Sequence, residues 1–277
     1  MIVHPLDSSD NKIIRTVRRL MTSHTFREKS GQTVVEGRRV VDEALSAGVS
    51  FRHVVYSRRL LQETGGKNLI ARLQASSTRL LYVTERLMEE ISGVEAPQGV
   101  VGVISWTLPE VTSFPLPASG PALLVVAEAL QDPGNLGSLI RSAQAAGAHG
   151  IGVTKGTVEV FNPKTLRACA GSVFRIPVFR VPLNWMEFAK EQGLAVRATT
   201  VTGGQPYDQV DWMAPVIIVL GNEGNGLTLE EEAEPITVPM VPTADSLNVA
   251  MAGSVILFHA ASQRRLGGIS PSPPLMI

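Results

Sequence analysis

Two apolar runs constrain this chain more than anything else in it. "ALLVVAEAL" begins at Ala122 and "APVIIVLGNEGNGL" begins at Ala214, and neither meets a polar side chain before Glu128 and Asn222 respectively. Short apolar runs rich in Val and Ile are strands. Strands with no polar alternate must be covered on both faces, which is the condition of a parallel sheet flanked by helices. The surrounding patterns agree. "LGSLIRSAQAAG" and "NWMEFAKEQG" have helical spacing, and "GIGVT", "LAVRATTV" and "PITVPM" read as strands. In "FNPKTLRACAG", Asn162 fits a helix N-cap with Pro163 as the first helical residue.

The amino-terminal part repeats the alternation on a smaller scale. "NKIIRTVRRLM" (11–21) puts Ile13, Ile14, Val17 and Leu20 on one helical face and Arg15, Arg18 and Arg19 around the other. "QTVVEG", "FRHVVYS", "RLLYVT" and "GVVGVISW" read as strands. "RRVVDEALSAG" reads as a helix stopped by Gly48, "KNLIARLQA" as a helix, and "ERLMEEI" as a helix capped by Thr84. The stretch 107–121, with Pro109, Pro115, Pro117 and Pro121, reads as a linker. The expected organisation is therefore an α/β domain over 1–106, a linker over 107–121, a parallel-sheet α/β domain over 122–266 and a disordered tail over 267–277.

Formal net charge is zero, but the charge is unevenly placed. Residues 1–100 hold 15 Lys and Arg against 11 Asp and Glu, and the remainder holds 10 against 14. A basic amino-terminal part suits a polyanionic partner, although a solvated surface would look the same by charge alone. The single cysteine, Cys169, excludes an internal disulfide framework and a thiolate metal site, as suits a reducing cytoplasm. It lies among small residues in "LRACAGS", where a buried inert thiol is expected. The sequence shows no signal-peptide pattern, and its longest apolar run, 247–261, is too short and broken to span a bilayer.

Three polar stretches fall at the carboxyl ends of expected strands, where open α/β sheets bind ligands. "EALQDPGNLGSLIRSA" builds a turn from Asp132, Pro133, Gly134 and Asn135, and then a helix carrying Arg141. Asn135 and Arg141 either face one cleft or are a cap and a surface arginine. "VLGNEGNGL" (219–227) sets Gly221, Gly224 and Gly226 around Glu223. A tight turn alone would not need three glycines with an acid among them. "TADSLNVAMAGSVILFHAASQRR" (243–265) puts Asp245, Ser246 and Asn248 at the mouth of a helix apolar on almost every face. Such a helix is expected to be buried. Capping by Asp245 or Ser246 accounts for one residue there and leaves Asn248, read as lying inside the first turn, unexplained. None of the five histidines lies in these loops, and His149 beside a turn reads as structural. No HExxH, Cys/His cluster or carboxylate pair points to a metal.

Together, "DPGNLGSLIRSAQAAGA" (132–148), "VLGNEGNGL" (219–227) and "VPMVPTADSLNVAMAGSVIL" (238–257) resemble the three motifs of the SpoU family of RNA ribose 2′-O-methyltransferases, in order and with matching intervals. "NPKTLRACAGSVFRIPV" is also similar to that family. The part containing "FREKSGQTVVEGRRVVDEALSAGV" resembles, less specifically, the small L30e-like substrate-binding domain that many members carry. The resemblance implies a deep trefoil knot in the carboxyl-terminal domain, a homodimer and S-adenosylmethionine as cofactor. It also implies an RNA substrate, with 23S rRNA favoured over transfer RNA, and no metal. It assigns Gly221, Val238, Met240 and Leu247 to cofactor contact, with Thr200 and Val201 beside them. Asn135, Arg141, Glu223, Ser246 and Asn248 match the family's polar catalytic set. RNA contact is expected from Arg15, Arg18, Arg19, Arg27 and Arg141. The competing readings are an inactive RNA-binding protein on the same scaffold and a nucleotide-dependent oxidoreductase, the latter without the dinucleotide fingerprint.

Overall fold

A computed structural model of the chain describes residues 4–221 and 233–269. The chain divides into two compact units, Met1–Thr107 with Glu159–Phe174, and Leu108–Val158 with Arg175–Ile277. The strands in chain order are β1 (Gln32–Glu36), β2 (Phe51–Tyr56), β3 (Leu80–Tyr82), β4 (Val100–Ser105), β5 (Leu123–Ala127), β6 (Gly150–Val153), β7 (Val178–Arg180), β8 (Ala195–Thr199), β9 (Gln205–Pro206), β10 (Val216–Leu220) and β11 (Glu234–Thr237). The helices are α1 (Lys12–Thr22), α2 (His24–Ser30), α3 (Arg38–Ser46), α4 (Arg58–Gln62), α5 (Gly66–Ala75), α6 (Glu85–Ile91), α7 (Pro133–Ala145), α8 (Pro163–Ala168), α9 (Trp185–Glu191) and α10 (Val249–Leu266).

The first unit is a four-stranded sheet in the order β1-β4-β2-β3, with β4 antiparallel to both neighbours and β2 parallel to β3. Ile14, Val17 and Leu20 of α1 pack with Leu87, Met88 and Ile91 of α6 on Val34, Val55, Val101 and Val103. The expected caps are present. Thr84 accepts from the Leu87 N–H, and Gly48 takes the left-handed conformation after α3. The segment 159–174, with α8, folds as part of this unit. Thr33 Oγ1–H donates to the Phe161 carbonyl at 2.7 Å, and Arg167 donates to the buried Glu36 carboxylate at 2.7 Å. Neither α2 nor α4 is among the expected elements; α2 is short but has its own end signals, Ser23 accepting the Phe26 N–H at 3.2 Å and Gly31 in the left-handed conformation.

The second unit carries a seven-stranded sheet, all parallel, in the order β7-β6-β5-β10-β8-β11-β9. The two apolar runs, β5 and β10, are adjacent at its centre, in register from Leu123 with Val216 to Ala127 with Leu220. Every residue of both strands is buried. One face is covered by Phe114, Trp185 and Ala189 over Leu124, Val126, Ile217 and Val219. Phe114 lies in the proline-rich stretch expected as a linker, and that stretch also pairs with β7 through the Arg180 N–H to the Pro109 carbonyl at 2.7 Å. It is fixed rather than free because it closes the edge of this sheet. On the other face, α7 and α10 pack closely, and a Cβ on Gly253 would lie 2.8 Å from Leu139 Cδ1 and 3.0 Å from Leu220 Cδ1.

Gly253→Val adds a branched side chain where space ends, so unfolding by denaturant should show a loss of about 1–3 kcal/mol. His149 is buried, its Nδ1 accepts the Leu123 N–H at 3.0 Å, and burial lowers its pKa below the usual histidine value. The unfolded chain therefore binds the proton more readily than the folded one. The stabilisation is complete above about pH 6.5 and is lost as pH falls from there. His149→Asn should flatten the fall in thermal midpoint between about pH 7.5 and 5 relative to the parent, and an unchanged pH profile would refute the assignment.

Candidate active site

In a parallel sheet all carboxyl ends face the same way, so the ends of β5, β8, β10 and β11 lie along one edge of the second unit. They are stitched together there. The Glu128 N–H donates to the Leu220 carbonyl at 2.9 Å, joining the ends of β5 and β10. Thr199 Oγ1–H donates to the Val219 carbonyl at 3.1 Å, and the Thr200 N–H to the Ile236 carbonyl at 2.8 Å. Just past β5, Ala129 has φ +51°, a left-handed conformation unusual for a residue with a Cβ. It is held by its N–H to Thr154 Oγ1 at 3.1 Å and by Gln131 Nε2–H to its carbonyl at 3.1 Å. Nothing in the sequence marks Ala129, because a strained φ on alanine leaves no residue-type signature.

The residues expected as a turn before α7 are its first turn. Asp132 is the N-cap, accepting the Asn135 N–H at 2.8 Å, and Pro133 is the first helical residue. The correction matters for direction, because it places Asn135 on a regular helix with its side chain projecting to the side. That side chain meets Asn248, whose Nδ2–H donates to Asn135 Oδ1 at 2.9 Å.

Asn248 also corrects an expectation. It does not lie inside the first turn of α10 and is itself the N-cap, in place of Asp245 or Ser246. Its Oδ1 accepts from the Ala250 N–H at 3.0 Å and the Met251 N–H at 3.3 Å. Because only the oxygen can cap, the amide nitrogen must point away, toward Asn135. One side chain thus closes the helix and ties the first polar stretch to the third. Below this pair, the Ser142 and Ser254 hydroxyls lie 2.7 Å apart, continuing the seam between α7 and α10.

Arg141 is exposed on the third turn of α7. Six residues of helix separate it from Asn135 by about 120° around the axis and about 9 Å along it. The two share a broad face and not one line. Ser246 is exposed in the loop leading to α10. Thr200, Gly221, Val238 and Met240 are half-buried just past the strand ends, Leu247 is half-buried beside the Asn248 cap of α10, and Val201 is exposed. Glu223, with Gly224 and Gly226, lies outside the described residues, as does the end of the tail from 270. Among the described residues, no group of His, Cys, Asp or Glu side chains is placed to hold a metal ion.

The arginines of the first unit differ from one another. Arg15 is exposed. Arg18 pairs with Glu90, and the Arg19 guanidinium lies 3.9 Å from the centre of the Phe26 ring. Arg27 is only 5% exposed. Its Nε–H and Nη2–H grip Glu159 at 2.9 and 2.6 Å, and Nη1–H donates to the Leu20 carbonyl at 2.7 Å. Its donors are turned inward, so Arg27 is an internal strut and drops out of the expected RNA surface.

Residues 122–258 match the family model described as SpoU rRNA Methylase family. The chain belongs to this family. Residues 11–102 match a model for the MRM3-like substrate binding domain. An uncharacterized tRNA/rRNA methyltransferase of Synechocystis is 33% identical over 94% of each chain. The 23S rRNA (guanosine(2553)-2′-O)-methyltransferase RlmP of Bacillus subtilis is 31% identical over 92% of this chain and 98% of its own. An S-adenosylmethionine-bound rRNA methyltransferase structure from Sinorhizobium meliloti superposes with a TM-score of 0.80 at 31% identity, covering 95% of this chain and 98% of that one.

The double duty of Asn248 can be separated by substitution. Asn248→Ala removes the cap and should cost about 1 kcal/mol in denaturant unfolding. Asn248→Asp keeps the capping oxygen and should recover most of that loss while still lacking the donor to Asn135. An Asp variant as unstable as the Ala variant would show that the Asn135 contact, and not the cap, carries the stability.

Proposed function

We propose that this protein transfers a methyl group from S-adenosylmethionine to a ribose 2′-OH of ribosomal RNA, with 23S rRNA as the target molecule. The observation that carries the reading is the Asn248–Asn135 hydrogen bond at 2.9 Å, which joins two of the three family motifs at the carboxyl edge of a parallel sheet. Family membership and the named activity of the RlmP relative, matched over nearly its whole length, favour ribosomal over transfer RNA. The strand ends fit the cofactor chemically. Half-buried Val238, Met240 and Leu247 suit an adenine ring, and the Asn135–Asn248 pair and Ser246 suit the ribose and the amino-acid end.

The cofactor, when bound, supplies a methyl already activated as a sulfonium, so the protein's task is alignment and proton removal. Alignment in a reactive geometry lowers a barrier by on the order of 7–11 kcal/mol in ideal cases. Arg141, exposed on α7, holds the 2′-hydroxyl against a neighbouring phosphate of the RNA. A guanidinium holds its proton tightly and is a weak base, so the main role of Arg141 is to orient. The methyl's bond to sulfur would break as its bond to the 2′-oxygen forms, with the thioether form of the cofactor leaving, and the hydroxyl proton would pass along that hydrogen-bonded path to the neighbouring phosphate. Glu223 orders the glycine loop or the arginine.

The finer architecture follows the family. β10 comes after β8 and β9 in the chain yet lies between β5 and β8 in the sheet, which supports a trefoil knot over 122–266. The mixed four-stranded sheet supports an L30e-like RNA-binding domain over 1–106, with Arg15, Arg18 and Arg19 toward the RNA. The described part of α10 buries only one face. Met251, Val255 and Phe258, exposed by 62, 38 and 52%, form a stripe on the other. A second copy of the chain covers that stripe in a homodimer. The single cysteine is buried, as suits a reducing cytoplasm, and no described helix is long and apolar enough to cross a membrane.

Arg141→Ala should lower tritiated-methyl transfer to rRNA by about 10²-fold or more, while calorimetry still shows S-adenosylmethionine binding. Near-normal transfer would remove Arg141 from its role. Absence of cofactor heat in the parent protein would instead favour an RNA-binding protein without activity. Mapping 2′-O-methylation across total RNA with and without the gene identifies the target nucleotide.

A further inference from the structure

Several arginines of the first unit are matched internally. Arg18 pairs with Glu90, Arg27 with Glu159, Arg72 with Asp42, Arg86 with Asp7, and Arg167 with Glu36. Arg52 and Arg79 are exposed, and neither has a carboxylate at ion-pair distance among the described residues. They converge on the same histidine. β2 and β3 run parallel with Val54 beside Leu80, so one step back His53 stands beside Arg79, and the Val54 N–H donates to the Arg79 carbonyl at 2.9 Å. The pairing of β2 with β4 shifts register between Phe51 and His53, which leaves Arg52 at a bulge. Bulges re-aim side chains. Here Arg52 Nε–H is fixed on Ser105 Oγ at 2.7 Å. His53 Nδ1 is buried and has no hydrogen-bond partner.

Three basic groups side by side repel one another when charged. Burial, and then the charges of Arg79 and Arg52, lower the His53 pKa. An exposed arrangement that gathers cations without an internal acid at ion-pair distance attracts an anion from solution. The planar guanidinium fork matches a phosphate, and its two outer nitrogens at Arg52 are not used by Ser105.

We propose that Arg52, His53 and Arg79 form a phosphate-binding site at the β2–β3 end of the amino-terminal unit, and that it grips a backbone phosphodiester of the RNA substrate. This rests on the reading of the protein as an RNA methyltransferase and adds to it a second point of grip, separate from the exposed face of α1. The contact is to the backbone, so it positions the RNA without reading its sequence.

The test uses the full chain and a 23S rRNA fragment, with affinity measured by fluorescence anisotropy between about 50 and 200 mM salt. The R52Q/R79Q double variant should bind more weakly. Its slope of log affinity against log salt should fall by about 0.7–0.9 for each phosphate that the variant no longer neutralises. R52K/R79K should keep most of the slope, and the single glutamine variants give the same reading if the double variant does not fold. S-adenosylmethionine heat and the thermal midpoint should match the parent. A double variant with the parent's slope and affinity overturns the site. Millimolar inorganic phosphate that shifts the His53 imidazole resonances, with no change in RNA slope between parent and variant, makes it a free-anion site and overturns the RNA assignment. A parent protein that shows no salt-dependent RNA binding overturns the underlying functional reading.

Discussion

The second unit depends on one buried guanidinium. Arg264, near the end of α10, is 5% exposed and donates to four backbone carbonyls. They belong to Trp212 at 2.7 Å, Pro121 at 2.8 Å, Ala122 at 2.9 Å and Ala214 at 2.8 Å. Burial lowers its pKa to about 10, so it stays charged near neutrality. Those carbonyls lie on the two segments that lead into β5 and β10. A cation in that position fixes where both central strands begin. At the other end of the same helix, Asn248 is tied to α7. The 18 residues of α10 span about 27 Å. The helix is therefore a strap fastened to the strand entries at one end and to the polar site at the other.

This arrangement explains why a helix with an apolar body has a polar mouth. Its middle needs close approach, which Gly253 provides against Leu139 and Leu220. Its entrance needs a cap, and the capping oxygen of an asparagine leaves an amide donor over. That donor points at Asn135. Aspartate or serine could close the helix as well, but neither presents an amide donor on the far side of the cap. The choice of asparagine is thus set by the site, while the position of the site is set by the fold.

The fold is largely legible in the sequence because its strongest signals are local. Ala122–Ala127 and Val216–Leu220 announce buried parallel strands by composition alone, and Thr84, Gly48, Asn162 and Pro163 mark helix ends through their own chemistry. What stays hidden depends on partners distant in sequence. Asn248 reads as a polar residue without a reason, but its reason lies 113 positions away. Arg264 sits beside Arg265 in "SQRR" with nothing local to tell them apart, and its carbonyl cage is assembled by tertiary structure. The proline-rich stretch looks like a tether because prolines break periodicity, while Phe114 within it is core. The start of α7 is displaced from its expected place because Asp-Pro-Gly-Asn is both a good turn and a good capped helix entrance. Only the Asp132 bond to the Asn135 N–H decides between them.

Charge shows the same division between what a residue is and where it points. Counting Lys and Arg in the first hundred residues finds a basic part, but the count treats Arg27 and Arg15 alike. Arg27 is turned inward onto Glu159, so it adds nothing to the field a polyanion meets. Arg18 keeps its position but shares its charge with Glu90. Attraction to RNA is exerted by cations that keep their field in solvent, because paired charges cancel within a Debye length of about 8 Å at physiological salt. The footprint of the first unit is consequently smaller than its composition and lies where acids are missing. The bulge at Arg52 and the parallel pairing that sets Arg79 beside His53 create such a place. It arises from strand register, which no charge count along the sequence can express.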